Sequence, residues 1–338
     1  MNPLQKNIDL AEKVFAASEK NFNQLALEIF RFQYTGNPVY RQYCNALKVE
    51  ARTIDHIEKI PFLPISFFKT HTVTTTAFTA EALFESSGTT GSQTSRHFVK
   101  YTALYKKSFT TAFEHFYGSA ANWCILGLLP AYLERNNSSL VTMVDELIKQ
   151  SNHLLSGFYL TDFEKLHSTI LHNELQKQPT LLIGVTYALL DFAQKFPMQL
   201  RYTTIMETGG MKGRRKELTR EEVHKKLQTQ LGVSIVHSEY GMTELLSQAY
   251  SKGNGFFHSP QWMKILIRDE DDPLHVTTPE MLYQKPVTGA VNIIDLANLY
   301  SCSFIATDDA GKLYSDNTFE ILGRIDNSDL RGCSLLAL

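Results

Sequence analysis

Cysteine is scarce, with four in 338 residues. Cys44, Cys124, Cys302 and Cys333 stand far apart, with neither CxxC spacing nor histidine-rich company. That scarcity argues against a disulfide scaffold or a zinc ribbon and suits a reducing, cytoplasmic setting. Excess charge is missing as well: 33 Lys and Arg against 35 Asp and Glu give a formal charge of -2. No basic footprint therefore points to nucleic acid or an anionic membrane. No run is long and apolar enough to span a bilayer, and MNPLQKNIDLAEKV has acidic residues where a secretory leader would be apolar. His97, His115, His153, His237 and His258 have no HExxH-type spacing, so no transition metal is expected. Internal repeats, low-complexity tracts and Pro/Ser-rich linkers are also lacking.

What is present is ample apolar content, 43% of the chain against 20% charged, enough to bury a full core. From about residue 3 to 32, Leu10, Val14, Phe15, Phe22, Leu25, Ile29 and Phe32 recur at helical spacing and predict an amphipathic helix. IPFLPISFFKTHTV puts two prolines into an aromatic run, which suits an extended segment laid on a body. Beyond residue 120, strand and helix patterns alternate: WCILGLL, SSLVTMVDELIKQ, GFYL, TDFEKLHSTILHNEL, TLLIG, VTYALLDFAQKF and TTIMET. A helix then opens at Thr219 in capping-box form. From Met263 onward ILI, AVNIIDL, SFIAT and FEILGRI read as strands. The fold class is α/β: mainly parallel sheets flanked by helices, with a small β-rich lobe. One domain is expected, with a helical and extended part over 1–80, an α/β core over 81–262 and the lobe and tail over 263–338.

Between those elements lies ESSGTTGSQTSR, rich in glycine and hydroxyls. Converging backbone N–H groups and hydroxyl donors are what phosphate needs, yet neither GxxxxGK[ST] nor GxGxxG occurs. Two further strands end in polar turns, Ile205-Met206-Glu207-Thr208-Gly209-Gly210 and Val236-His237-Ser238-Glu239-Tyr240-Gly241-Met242-Thr243-Glu244. Ligands of open parallel sheets collect at such strand ends.

These three loops, followed by Thr307-Asp308-Asp309 and Gly323-Arg324-Ile325-Asp326, resemble the ordered motifs of the adenylate-forming superfamily. The resemblance implies an N-terminal-domain-like fold of that superfamily. It further implies that Ser86, Ser87, Gly88, Thr89, Thr90 and Gly91 hold the β- and γ-phosphates of ATP. Gly209 and Gly210 would lie against adenine, Tyr240 would stack on the base, Gly241 would be a further ATP-binding residue, Thr243 would touch the α-phosphate and Glu244 would hold Mg²⁺. Asp309 would accept from the ribose hydroxyls and Arg324 would support that end.

Two departures narrow the likeness. The loop continues Ser92-Gln93-Thr94-Ser95 where relatives have Gly-x-Pro-Lys, and the sequence ends at Leu338, before the lid domain that usually carries a lysine. With IPFLPISFFK and Arg331-Gly332-Cys333-Ser334, the chain resembles the LuxE-type acyl-protein synthetases over nearly its whole length. That likeness implies activation of a fatty acid as acyl-AMP, capture of the acyl group on Cys333, and delivery to a partner reductase. Two other functions stay open here: an acyl-CoA or aryl-acid ligase whose lid comes from another polypeptide, and an inactive nucleotide- or acyl-binding protein. Phe109, Phe113, Phe116 and Tyr117 recur at helical spacing and are expected to pack in the core. The run Lys212-Gly213-Arg214-Arg215-Lys216 is expected to be a solvated face.

Overall fold

A computed structural model describes residues 10–86, 93–129, 137–209, 218–283 and 285–325. Its contacts group into two compact units. The first contains residues 1–104, 244–247 and 258–338; the second contains 105–243 and 248–257.

The second unit is a six-stranded sheet in the order β5-β4-β6-β7-β8-β9. Its strands are β4 (Cys124–Leu128), β5 (Gly157–Phe158), β6 (Thr180–Val185), β7 (Thr203–Thr208), β8 (His237–Tyr240) and β9 (Ala249–Ser251). All pairs are parallel except β8 with β9. Every residue of β4 and β6 is buried. A strand covered by helices on both faces needs such an unbroken apolar run. The helices are α5 (Thr102–Tyr117), α6 (Ser139–Ser151), α7 (Phe163–Gln176), α8 (Thr186–Lys195) and α9 (Arg220–Leu231). At the start of α9, Thr219 and Glu222 form the reciprocal capping box that the sequence announces. Within α5, Phe109 and Phe113 are buried, as their spacing predicts.

From β4 the chain moves out to β5, then crosses back over β4 to build β6, β7 and β8 in succession. The strand order therefore reverses between β4 and β6. In open parallel sheets, ligands bind beyond the carboxyl ends of the strands on either side of such a reversal.

The first unit holds the other six-stranded sheet, in the order β1-β13-β12-β10-β11, with β14 also on β13. Its members are β1 (Leu63–Pro64), β10 (Met263–Arg268), β11 (Val276–Thr277), β12 (Val287–Asp295), β13 (Phe304–Leu313) and β14 (Phe319–Arg324). The hairpin β2 (Ala82–Glu85) and β3 (Arg96–Val99) belongs here too. Helices α2 (Phe22–Gly36) and α3 (Pro38–Ala46) are fastened to the sheet from far along the chain. Gln33 donates to the carbonyls of Asn298 and Leu299, each at 3.0 Å, and accepts from the Ser303 N–H at 2.9 Å. Around that anchor Phe30, Tyr40, Phe62 and Phe304 form an aromatic cluster.

Two local expectations are corrected. The helix predicted over 3–32 is divided: α1 covers 10–15 among the described residues, and α2 begins only at Phe22. In the break, Asn21 accepts from the N–H of Ser18 at 2.7 Å and donates to Ala16 O at 3.2 Å. Short polar side chains compete with the helix for backbone groups in this way. The extended run IPFLPISFFKTHTV supplies β1 and then coils into one turn of helix, α4 (Phe67–Thr70), with Phe68 buried. Among the described residues no helix is long and apolar enough to cross a membrane.

Candidate active site

In the second unit the carboxyl ends of β7 and β8 lie side by side, with Glu207 opposite Ser238 and Thr208 opposite Glu239. Each strand brings one buried carboxylate to that edge, and alternation sends the two side chains to opposite faces. Glu207 faces α9. The Thr186 hydroxyl donates to it at 3.1 Å, Arg220 Nε stands at 3.4 Å and His224 Nε2 at 3.6 Å. Burial disfavours its charge, but the His224 hydrogen bond, Arg220 and the Ser238 hydroxyl outweigh it and hold the carboxyl below its usual range.

Glu239 faces Tyr105, Tyr117 and Tyr250. Burial pushes its carboxyl up to about 7; the Thr208 hydroxyl, which donates to it, opposes this, and the charge of Glu207 reinforces it. One edge therefore carries a carboxyl held below its usual range on one face and one pushed well above it on the other.

Gly209 follows β7 with φ +69°, a left-handed conformation that favours glycine, and its carbonyl accepts from Thr186 at 2.6 Å. A Cβ there would meet nothing within 4 Å, so the backbone faces open space. Tyr240 is 8% exposed and packs edge-on against Phe257, whose ring also carries the Arg220 guanidinium at 4.9 Å. Gly241 is needed for space: a Cβ would come within 2.5 Å of Glu239 Oε1. Thr243 closes the first stretch of this unit.

In the first unit, Ser86 and Ser95 close the neck of the hydroxyl-rich loop. The Ser86 N–H donates to Ser95 O at 3.0 Å, and the Ser95 N–H donates to Ser86 Oγ at 2.9 Å. Ser95 also donates through its hydroxyl to Glu244. Glu244 is 5% exposed; burial pushes its carboxyl up, while Ser95, Arg324 and Lys69 pull it down. The backbone around it is fixed: Asn298 donates to Glu244 O at 2.7 Å, and buried Asp295 accepts from Leu246 N at 2.8 Å, Ser247 N at 3.0 Å and Ser247 Oγ at 2.6 Å.

Asp309 lies within β13, opposite Arg324 on β14, with 3.9 Å between Oδ1 and Nε. Its N–H donates to Thr307 Oγ1 at 3.1 Å, and Thr307 in turn donates to Val291 O at 2.8 Å. Arg268 donates to Thr307 O at 2.6 Å, so the Thr-Asp-Asp segment is held at both ends.

Of the residues expected from sequence, the first unit thus brings together Ser86, Glu244, Asp309 and Arg324, and the second brings Gly209, Tyr240, Gly241 and Thr243. Ser87, Gly88, Thr89, Thr90, Gly91, Gly210 and Cys333 lie outside the described residues, as does the basic run 212–216. Sequence reasoning quoted Glu207 and Glu239 without giving them a role. The available signal was an acidic residue inside a predicted strand, a position that carboxylates rarely occupy.

The architecture defines a class. Residues covering 72% of this chain superpose on ATP-bound MatB from Rhodopseudomonas palustris with a TM-score of 0.51 and 16% identity. They superpose on the ATP-bound RpMatB-BxBclM chimera B3 with a TM-score of 0.52 and 15% identity. The chain spans about half the length of each of those two proteins, 48% in both cases. The fold is that of the N-terminal domain of adenylate-forming enzymes.

Within that class, the chain belongs to the acyl-protein synthetase, LuxE, family, which matches residues 9–337. It is similar to the long-chain-fatty-acid–luciferin-component ligase of Aliivibrio fischeri, 26% identical over 348 residues, covering 93% of this chain and 86% of that protein. The protein of the same name from Photorhabdus luminescens is 42% identical over 74 residues, 22% of this chain and 63% of that protein.

Proposed function

We propose that this enzyme joins ATP to a long-chain fatty acid as acyl-AMP, carries the acyl group as a thioester on Cys333, and passes it to an acyl-accepting protein such as a reductase. The observation that carries this reading is the family match over residues 9–337. In the first step a carboxylate oxygen bonds to the α-phosphorus, the bond to the bridging β-phosphate oxygen breaks, and pyrophosphate leaves. In the second the Cys333 thiolate attacks the acyl carbonyl and AMP leaves. A cytoplasmic setting accompanies this reading.

The site residues take the following roles in the proposal. Ser86, Ser87, Gly88, Thr89, Thr90 and Gly91 hold the outer phosphates, Gly209, Gly210, Tyr240 and Gly241 receive adenine, and Thr243 contacts the α-phosphate. Asp309 accepts from the ribose hydroxyls, supported by Arg324. Two anions must meet at the α-phosphate, so cations and N–H donors are needed where charge gathers. Among the described residues no group of three or more His, Cys, Asp or Glu could hold a metal ion. A Mg²⁺ on Glu244 would therefore complete its shell with phosphate oxygens and water, which is this ion's habit. Glu244 fits that use, because a buried carboxyl pushed upward gains from a cation beside it.

Incubation with ATP, Mg²⁺ and a long-chain acid is expected to leave a hydroxylamine-labile acyl adduct on Cys333, located by peptide mass analysis. An undiminished adduct in Cys333→Ala removes that residue from the mechanism. CoA-dependent AMP release with no protein-bound acyl group overturns the acyl-protein reading.

A further inference from the structure

The hydroxyl-rich loop ESSGTTGSQTSR contains no lysine. The reaction still needs positive charge on the phosphates, and the first unit contains a lysine placed to supply it. Strand β1 runs parallel to β13 with Pro64 opposite Ala306, one residue before Thr307-Asp308-Asp309. The Ile65 N–H donates to Ala306 O at 2.9 Å, and the chain then turns into α4. Both residues before Lys69 are fixed in place. The Phe67 ring packs on Tyr43 at 5.7 Å and on His71 at 4.9 Å. Phe68 is fully buried, its ring against His97 of β3 at 5.8 Å. Because β3 leads directly out of the hydroxyl-rich loop, α4 is seated beside the hairpin that presents it.

Lys69 itself is exposed. Its charge lies within electrostatic reach of Glu244, the carboxylate that Ser95 holds at the base of the loop and that Arg324 also reaches. Three other cations of this unit are engaged. Arg268 donates to Val291 O, Asn292 and Thr307 O. Lys100 rests over the Tyr300 ring at 4.3 Å and the Tyr101 ring at 5.1 Å. Arg324 pairs with Asp309. Among the described residues the Lys69 ammonium has neither a hydrogen bond nor an ion pair.

We propose that Lys69 is a catalytic residue of adenylation, its ammonium contacting the phosphate oxygens of ATP beside Glu244, Ser95 and Arg324. The assignment rests on the proposed acid activation. The Lys69 ammonium offsets the charge that builds on the α-phosphate and on the leaving pyrophosphate, and the step needs no proton transfer. A compact ammonium suits this task, since it serves phosphate as a point charge.

The test is fatty-acid-dependent exchange of labelled pyrophosphate into ATP, run at saturating acid on wild type, Lys69→Met, Lys69→Arg and the distant control Lys59→Met. Removing one preorganised donor to a developing anion costs about 10²-fold in rate. Lys69→Met is therefore expected to lose exchange by more than about tenfold in kcat, with Tm unchanged. Lys69→Arg is expected to recover a substantial part of the rate, and Lys59→Met to match wild type. A smaller loss in Lys69→Met, with wild type active, overturns the Lys69 assignment and leaves acid activation standing. Wild type that exchanges with none of a panel of fatty, aryl and amino acids overturns acid activation, and the Lys69 assignment with it.

Discussion

Replacing Glu239 by glutamine takes one titrating group out of the second unit, and its effect on stability follows from where that group sits. The glutamine carbonyl can still accept from Thr208, so the hydrogen bond at this site survives. What changes is the pH dependence. The carboxyl is pushed from 4.5 up to about 7 by burial among Tyr105, Tyr117 and Tyr250, with the charge of Glu207 adding to the push. Below pH 4.5 folded and unfolded chains both keep the proton and the site costs nothing. Between pH 4.5 and about 7 the unfolded chain releases it and the folded chain does not, so stability falls. Above about pH 7 both are ionised and the full penalty applies, about 3 kcal/mol at about 1.4 kcal/mol per pH unit. Between pH 5 and pH 8 the variant is therefore expected to gain about 2.5 kcal/mol on wild type. Trp123 lies in the second unit and Trp262 in the first, so urea unfolding followed by Trp123 emission in a Trp262→Phe background reads the relevant unit. Parallel stability curves for the two proteins across that range would refute the argument that burial raises the Glu239 carboxyl to about 7.

The second unit was the more legible from sequence, for a physical reason. Strands buried on both faces must be apolar throughout, and CILGL and TLLIGV satisfy that without regard to what they touch. The capping box at Thr219 is equally local, needing only four consecutive residues. The first unit is assembled from encounters that no window contains. Gln33 meets Ser303 across 270 residues, and β1 finds β13 across a similar span. Single polar side chains also decide local structure: Asn21 ends a helix that the apolar spacing would have carried through.

The candidate site divides along the same line. Ser86, Gly209, Tyr240 and Asp309 could be singled out because loops at strand ends have a recognisable composition of glycine, hydroxyl and carboxylate. Glu207, Glu239, Asp295 and Lys69 could not, because each owes its character to a neighbour brought in by the fold. Glu207 and Glu239 have the same side chain, one strand apart, yet His224 and Arg220 help hold one below its usual range while burial pushes the other up to about 7. Lys69 is an ordinary lysine in sequence; only the fold brings its charge within reach of Glu244.

Three further outcomes are expected. Thr219→Ala removes the hydroxyl that accepts from the Glu222 N–H, one half of the capping box on the helix that carries Arg220 and His224, and should lower the stability of the second unit by about 1 kcal/mol in urea unfolding. Gly241→Ala sets a methyl 2.5 Å from Glu239 Oε1 and should cost about 1–3 kcal/mol. A double-mutant cycle with Glu239→Ala should recover most of that cost, and an additive result would place the clash elsewhere. Asp295→Ala should be the most damaging, because this buried carboxylate accepts from the N–H groups of Leu246, Ser247 and Ala297 and from the Ser247 hydroxyl. Each donor left without a partner costs about 1–3 kcal/mol, so the loss should exceed about 4 kcal/mol. Asp295→Asn keeps one acceptor oxygen but turns an amide N–H toward donors that need an acceptor, so it should be destabilised as well, though less. Burial pushes the Asp295 carboxyl up to about 6, so wild type pays a stability cost as pH rises from about 4 to 6 that Asn does not. The Asp295→Asn deficit should therefore narrow across that interval. Since Leu246 and Ser247 directly follow Thr243-Glu244, both variants should also lose pyrophosphate exchange. Asp295→Asn with wild-type Tm and wild-type exchange would show that Glu244 is positioned by Asn298 and Ser95 without help from this carboxylate.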